Sequence, residues 1–194
     1  RIKDSHVAPF ANFPYISIDI EELEIFEGKN RKKSERIVHI KDAYIGFDIL
    51  ELLSGKYDVK SVRLSNGDLR IIQHKNGDFN IIKAFESKKP AKEIEEELHL
   101  DLQSIKLDNI DVSKFNESNG IMVDVLIENA KTRLQSTKQN FTMNVDSKFQ
   151  LNLIKDGDTT FLKHKHFEVA TELDFEKSKQ ILKVEPTEIT LEKA

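Results

Sequence analysis

Three alternate residues, His164, His166 and Glu168, carry the side chains of this chain best suited to metal chemistry. On a strand, alternate residues project from one face, and imidazole with carboxylate is a set that zinc accepts. They fall on the polar side of their segment, where a solvated row is the ordinary arrangement, and the chain has 0 Cys to complete a thiolate set. Asp156-Gly157-Asp158 resembles the start of a calcium loop, but the twelfth position counted from Asp156 is Phe167, where an EF-hand needs Glu. A hairpin turn is the simpler reading. No Gly-rich phosphate loop, nucleophile elbow or His-Glu-x-x-His motif occurs. Acidic residues are plentiful, yet nothing in the spacing brings two together as a hydrolytic pair. The expectation is a non-catalytic protein without metal or cofactor.

The other candidate chemistry is apolar. Phe141, Met143, Val145, Phe149, Leu151 and Leu153 stand at odd positions, with Thr142, Asn144, Asp146, Lys148, Gln150 and Asn152 between them. That alternation describes one strand with a dry face and a wet face. Lys155-Asp156-Gly157-Asp158 supplies a turn, and Phe167, Val169, Leu173 and Phe175 continue the dry face on a second strand. Phe141, Met143, Phe149, Leu151, Phe167 and Val169 are therefore candidate lipid-facing residues, or else the filling of a two-layer core. Lys29-Asn30-Arg31-Lys32-Lys33 is a basic tip that either touches anionic headgroups or is a solvated loop.

The elements that must position these residues are mostly strands. Ile121, Val123, Val125 and Ile127 open a strand ending near Leu134, and Gln135 to Gln139 is short enough for a meander. Strands of about 15 residues are about 50 Å long, far beyond the usual five or six residues. Helix signals are few. Asp48-Ile49-Leu50-Glu51 has the form of a capping box and Ser54-Gly55 suits a left-handed stop, which predicts one helix at about 48 to 54. Leu52 and Leu53 are expected to plug one end of the sheet, with Leu53 buried. A second turn is expected at Asn80 to Glu86 and a third around Ile94 and Leu98, while 86 to 97 reads as a charged linker or loop. The fold class is mostly β: a long, twisted, mainly antiparallel sheet, either an open groove or a curled two-layer sheet, with one or two short helices.

A word repeats along the chain. Val59 to Leu69 (VKSVRLSNGDL) aligns without a gap to Leu102 to Val112 (LQSIKLDNIDV), with looser copies beginning at Ile40, Ile127 and Val184. The end residues of its core are five apart, an odd interval that would put the second on the wrong face of a flat strand. A phase reset is required, expected as a bulge or corner at Asn109 and Asn129 and a turn at Asn66-Gly67.

Composition narrows the partners. Thirty Lys plus Arg against 34 Asp plus Glu gives a net charge of −4, which disfavours a general nucleic-acid footprint. The longest apolar runs are pairs and triplets such as Val125-Leu126-Ile127, far short of the roughly 20 residues of a membrane-spanning helix. The chain begins at Arg1 without Met and reads as a single β-rich module cut from something longer.

Phe13-Pro14-Tyr15-Ile16-Ser17-Ile18 reads as an opening strand, Ile45 to Lys56 as a strand, a Leu-Leu helix and a Gly-Lys stop, and Val59, Val62 and Leu64 as a following strand. Then come Asn66-Gly67-Asp68-Leu69-Arg70-Ile71 and the Asn-Gly-x-x-Asn signature of Asn76-Gly77-Asp78-Phe79-Asn80. In this order and spacing residues 13 to 85 resemble the N-terminal region of the AsmA family of bacterial envelope proteins. Asn66 departs from a frequent Pro, and Ile81 from a frequent aromatic. Residues 98 to 194, the long-strand meander, match only in style. The resemblance implies an inner-membrane anchor elsewhere in the full-length protein, a periplasmic body, and a role in handling phospholipid or another envelope lipid in outer-membrane biogenesis. A one-faced sheet with few helices must cover its apolar side. An acyl chain of about 16 carbons would gain about 12 kcal/mol on such a lining, at about 0.8 kcal/mol per methylene. The alternative is a β-rich module that binds other envelope proteins through its edges and loops.

Overall fold

A computed structural model describes residues 1–12, 15–28, 34–55, 58–82, 102–136, 139–176, 178–185 and 187–191. Their alternating sequences form ten strands: β1 (Asp4–Asn12), β2 (Tyr15–Phe26), β3 (Arg36–Asp48), β4 (Val59–Gln73), β5 (Ser104–Asn116), β6 (Met122–Ser136), β7 (Asn140–Asp156), β8 (Thr159–Glu176), β9 (Ile181–Val184) and β10 (Glu188–Leu191). They make one sheet in the order β1-β2-β3-β4-β5-β6-β7-β8-β10, with β9 also on β8. The two ends of this path do not pair, so the sheet is open. Every neighbour pair is antiparallel except β4 and β5, which run parallel.

The parallel pair joins the two copies of the repeated word. Ser61 faces Ser104, Leu64 faces Leu107 and Leu69 faces Val112, the same gap-free offset at which the two words align. Like residues therefore stand beside like.

The predicted phase resets take an unexpected form. Pairing is interrupted at one residue in each of five strands, Glu22, Lys41, Asn66, Asn109 and Glu128, which lie in a row across the sheet. Glu22, Asn66 and Asn109 have φ of 52°, 56° and 53°. At each strand of the row the apolar positions jump by three instead of two: Ile20 to Leu23, Ile40 to Ala43, Leu64 to Gly67, Leu107 to Ile110, Ile127 to Ala130. Because all five strands reset together, the register between β2 and β6 is undisturbed across the row. β7 does not reset, so the mismatch appears as a register shift between Ile127 and Asn129, with Glu128 as the extra residue of a bulge. The expected reset at Asn109 is present, and that expected at Asn129 lies one residue earlier. The expected turn at Asn66-Gly67 is not a turn: β4 runs straight through it. Asn tolerates the left-handed region because its short side chain bonds locally, here from Asn109 Nδ2 to Asn66 Oδ1 at 2.9 Å. Gly67 serves a different need. A Cβ there would overlap the His39 carbonyl oxygen and come within 2.7 Å of Ile40 Cδ1.

The core follows this crease. Ile20, Ile40, Ala43 and Ile110 are buried, and Ile18, Leu23, Val38, Ile45, Leu64, Leu107, Val112 and Ile127 pack against them. Ile40 is 2% exposed beside the row of resets, with its neighbours in this cluster packed around it.

The short helix α1 (Ile49–Leu53) forms where the capping signals place it. The Asp48 carboxylate accepts from Leu50 N and Glu51 N, and Gly55 follows the C-cap with φ +84°. Its expected role as a plug is overturned: none of its residues is buried, and Leu53 is 80% exposed. The acid that the capping box would send back to its own N-terminus, Glu51, instead pairs with the buried Lys60 at 2.8 Å. Lys60 is the extra residue at the register shift opposite Gly46 and Phe47. That ion pair ties α1 to β4.

Residues 80–82 form a second helical turn. The Asn80 side chain is buried, accepts from Ile72 N and Ile81 N, and donates to Arg70 O. The Asn of the Asn-Gly-x-x-Asn signature thus fastens the turn after β4 to the sheet. The expected linker at 86 to 97, the helix around Ile94 and Leu98, and Phe13-Pro14 lie outside the described residues.

Candidate functional site

The pairing fixes which side chains share a face. Ile127 on β6 faces Phe149 on β7, Phe149 faces Phe167 on β8, and Phe167 faces Leu191 on β10. The Phe149 and Phe167 rings stack at 5.3 Å and 15°. Ser147, Val169 and Ile189 form the next row, and Phe141, Phe175 and Leu182 another. All six candidate lipid-facing residues therefore lie on the side that carries the core cluster. Leu151 is buried, while Phe141, Met143, Phe149, Phe167 and Val169 are half-buried.

Burial on this face falls from the crease toward both edges. Val7 on β1 is 63% exposed, and Leu182, Val184, Ile189 and Leu191 are all more than half exposed. One apolar surface thus crosses the ten strands, and its outer rows meet solvent. Exposed apolar surface of this continuity is of the kind that can receive another apolar surface.

The opposite face is ionic. His39 Nε2 lies 2.5 Å from Glu22 Oε2 at the crease, and His39 Nδ1 lies 3.6 Å from Asp68. Arg36 reaches both Asp68 and Glu24. The hydrogen bond from His39 holds the Glu22 carboxyl below its ordinary value, with nearby lysines adding to the effect against some desolvation. Charges of opposite sign spaced along a wet sheet face keep it solvated and contribute little apiece.

The histidine row is dispersed by the same architecture. His164 sits at φ 50°, opposite Asn152, where pairing between β7 and β8 is interrupted. Its Nδ1 faces Gln150 at 3.4 Å, whereas His166 pairs with Glu128 at 3.0 Å and Glu168 with Lys148. Each takes its own partner, and among the described residues no group of three or more ligating side chains is placed to hold a metal. Gly157, with φ 55°, lies in the turn between Asp156 and Thr159, which are paired, as a tight hairpin requires. The basic tip at 29–33 lies outside the described residues.

A cavity of about 350 Å³ opens on the ionic face between Asp68 and Arg70 of β4, Asp111 and Ser113 of β5, Asp124 of β6 and Asn152 of β7. Partial burial, with the neighbouring charge of Asp111, raises the Asp124 carboxyl above its ordinary value. Of its lining side chains Asp68 is paired with Arg36 and His39, and Ser113 stands opposite Asp124 in the β5-β6 ladder.

Two residues of the apolar face escaped the sequence reading. Lys114 faces Ile71 on β4 and Val123 on β6, and Lys165 faces Leu151 on β7. Both break an apolar alternation, Ile110-Val112-Lys114 and Val169-Phe167-Lys165, a signal that carries meaning only once the phase of each strand is known. Among the described residues no helix is long and apolar enough to cross a membrane.

No protein-family model matches this chain, and no curated protein shows significant similarity to it.

Proposed function

We propose that this chain is a non-catalytic, lipid-handling sheet of an AsmA-like envelope protein, its apolar face receiving acyl chains while its ionic face stands in the periplasm. The observation that carries this reading is the single apolar surface spanning β1 to β10, with half-buried Phe149, Phe167 and Val169 on β7 and β8 between the buried core and the exposed β10 edge. The elements of the resemblance support it: the helix capped by Asp48, the strand holding Val59, Val62 and Leu64, and the buried Asn80 occur in the expected order. An inner-membrane anchor and a part in outer-membrane biogenesis belong to the same proposal.

Photo-crosslinking tests it. A photoreactive residue at Phe149 or Val169 in the intact protein should capture phospholipid, and one at Asn144 on the ionic face should not. Circular dichroism first confirms that each variant is folded. A folded protein that crosslinks no lipid from either apolar position overturns the reading.

The outer edge of β1, which no further strand covers among the described residues, favours a second reading, strand addition by a protein partner. Capture of protein along Asp4 to Val7, with no lipid at Phe149, would establish that one in its place.

A further inference from the structure

The apolar face carries very little charge in its strands. Traced by pairing through the described residues of β2 to β8, it bears Lys114 and Lys165 as its cations, and the one acid in line with it, Asp156, stands at the exposed tip of the β7-β8 hairpin. Both lysines lie toward the same end of the sheet, the end holding the 157–158 turn. Lys165 is level with Leu151, Val125 and Val112, and Lys114 is two residues further along β5. They are three strands apart, about 14 Å at ordinary strand spacing. Between them lie Val123 and Val125 of β6 and Leu151 and Ile154 of β7.

Lysine on an apolar face requires a reason. Its ammonium is costly to desolvate without a counter-ion. On the ionic face some cations are paired, Lys148 with Glu168 and Arg36 with Asp68, while Lys106 and Lys131 face each other among polar neighbours. Neither Lys114 nor Lys165 has a carboxylate within ion-pair distance among the described residues, and the face around them offers hydrocarbon.

We propose that the apolar face selects an anionic phospholipid, its phosphate held between Lys114 and Lys165 and its acyl chains laid from Leu151 and Val125 toward the crease at Ile110 and Ile127. This rests on the lipid-handling reading above and adds to it a headgroup class and an orientation. The lysine stems cover the apolar rows while the ammonium groups stand at the rim, so the head stays wet while the chains enter the dry strip. A zwitterionic headgroup carries its own cation and gains less from the pair.

The test uses the intact protein equilibrated with vesicles containing equal amounts of phosphatidylglycerol and phosphatidylcholine of matched chains, followed by mass spectrometry of the retained lipid. Wild type should retain phosphatidylglycerol in excess. Lys114→Gln and Lys165→Gln should each lower that excess about fivefold, the effect of about 1 kcal/mol per lysine near an anionic head, with total retained lipid unchanged. Lys106→Gln with Lys131→Gln removes two charges from the ionic face, where these residues face each other, and should leave the ratio as in wild type. An unchanged ratio in the Lys114 and Lys165 variants, or an equal loss in the ionic-face control, overturns headgroup selection while leaving lipid binding intact. Retention of no lipid by folded wild type overturns the lipid-handling reading and this one together.

Discussion

The creased half of the sheet, β2 to β6, and the β7-β8 hairpin, regular from Phe141 to its own interruption at Asn152 and His164, obey the same alternation rule and reach different ends with it. In the creased half one residue per strand breaks the rule at the same row, and the most deeply buried residues of the core cluster gather there. In the hairpin, Phe141 to Leu151 keep strict alternation, the strands run to 17 and 18 residues, and most of the apolar side chains stay half-buried. The most buried residues thus gather along a row of aligned irregularities, while the apolar side chains of the regular stretch stay mostly half-buried. Glu128 is the joint between the two regimes.

The largest expected effect is at the crease itself. Ile40→Ala should cost about 2 to 5 kcal/mol in denaturant melts, as for other fully buried aliphatic truncations, whereas Val169→Ala on the hairpin should cost clearly less. Equal losses at the two positions would remove the distinction between the regions.

Next comes Gly67→Ala. The new methyl meets the backbone of β3 rather than a side chain that can turn away, so a loss of about 1 to 3 kcal/mol is expected. The crystal structure of the variant should show β3 and β4 displaced at His39.

Asn109→Ala should cost about 1 to 2 kcal/mol, because alanine in the left-handed region loses the local compensation that asparagine has. Asn144→Ala, on a regular stretch of β7, should be within about 0.5 kcal/mol of wild type. Thermal melts of the two variants side by side sharpen the comparison: similar Tm values would mean that the row carries no strain.

The smallest effects separate by pH. Glu22 has a folded pKa below its ordinary 4.5, so its contribution to stability is present above 4.5 and is lost as pH falls through the lowered folded value. Glu22→Gln should thus be less stable than wild type at neutral pH, and the difference should vanish in acid. Asp124 is raised from 3.8, so it opposes folding above its folded pKa and ceases to do so below 3.8. Asp124→Asn should be slightly more stable than wild type at pH 7, with the gap closing as pH falls. Melts at pH 3, 5 and 7 read both signs.

The legibility of the fold in the sequence varied with the range of the interactions. The β7-β8 hairpin was readable because its alternation, its turn and its register are all local, and α1 because Asp48 and Gly55 announce its ends. The exposure of Leu53 was not, since a Leu-Leu pair does not say which side meets the sheet. Asn66-Gly67 misled because the same dipeptide suits a turn and a crease: both ask for a left-handed residue, and only the neighbouring strands decide whether the chain reverses. Of the apolar face, Phe149, Leu151, Phe167 and Val169 were visible from periodicity. Lys114 was not, because its side of the sheet depends on the reset at Asn109 that pairing alone reveals, and Lys165, though in step with Phe167, reads in the sequence as the end of the apolar run.

The parallel ladder of β4 and β5 has a consequence for how copies of this protein behave toward one another. Its two strands carry nearly the same word in the same register, down to Asn66 beside Asn109. A strand that matches its neighbour also matches that neighbour's counterpart in another molecule, so the pairing information is self-similar in the manner of stacked fibril strands. Within one chain the proximity of the two segments favours the internal pair. At high concentration during refolding, β4 of one molecule can meet β5 of the next in the same register, and exchanged dimers or longer chains of exchanged strands are the misassembly that this ladder predicts.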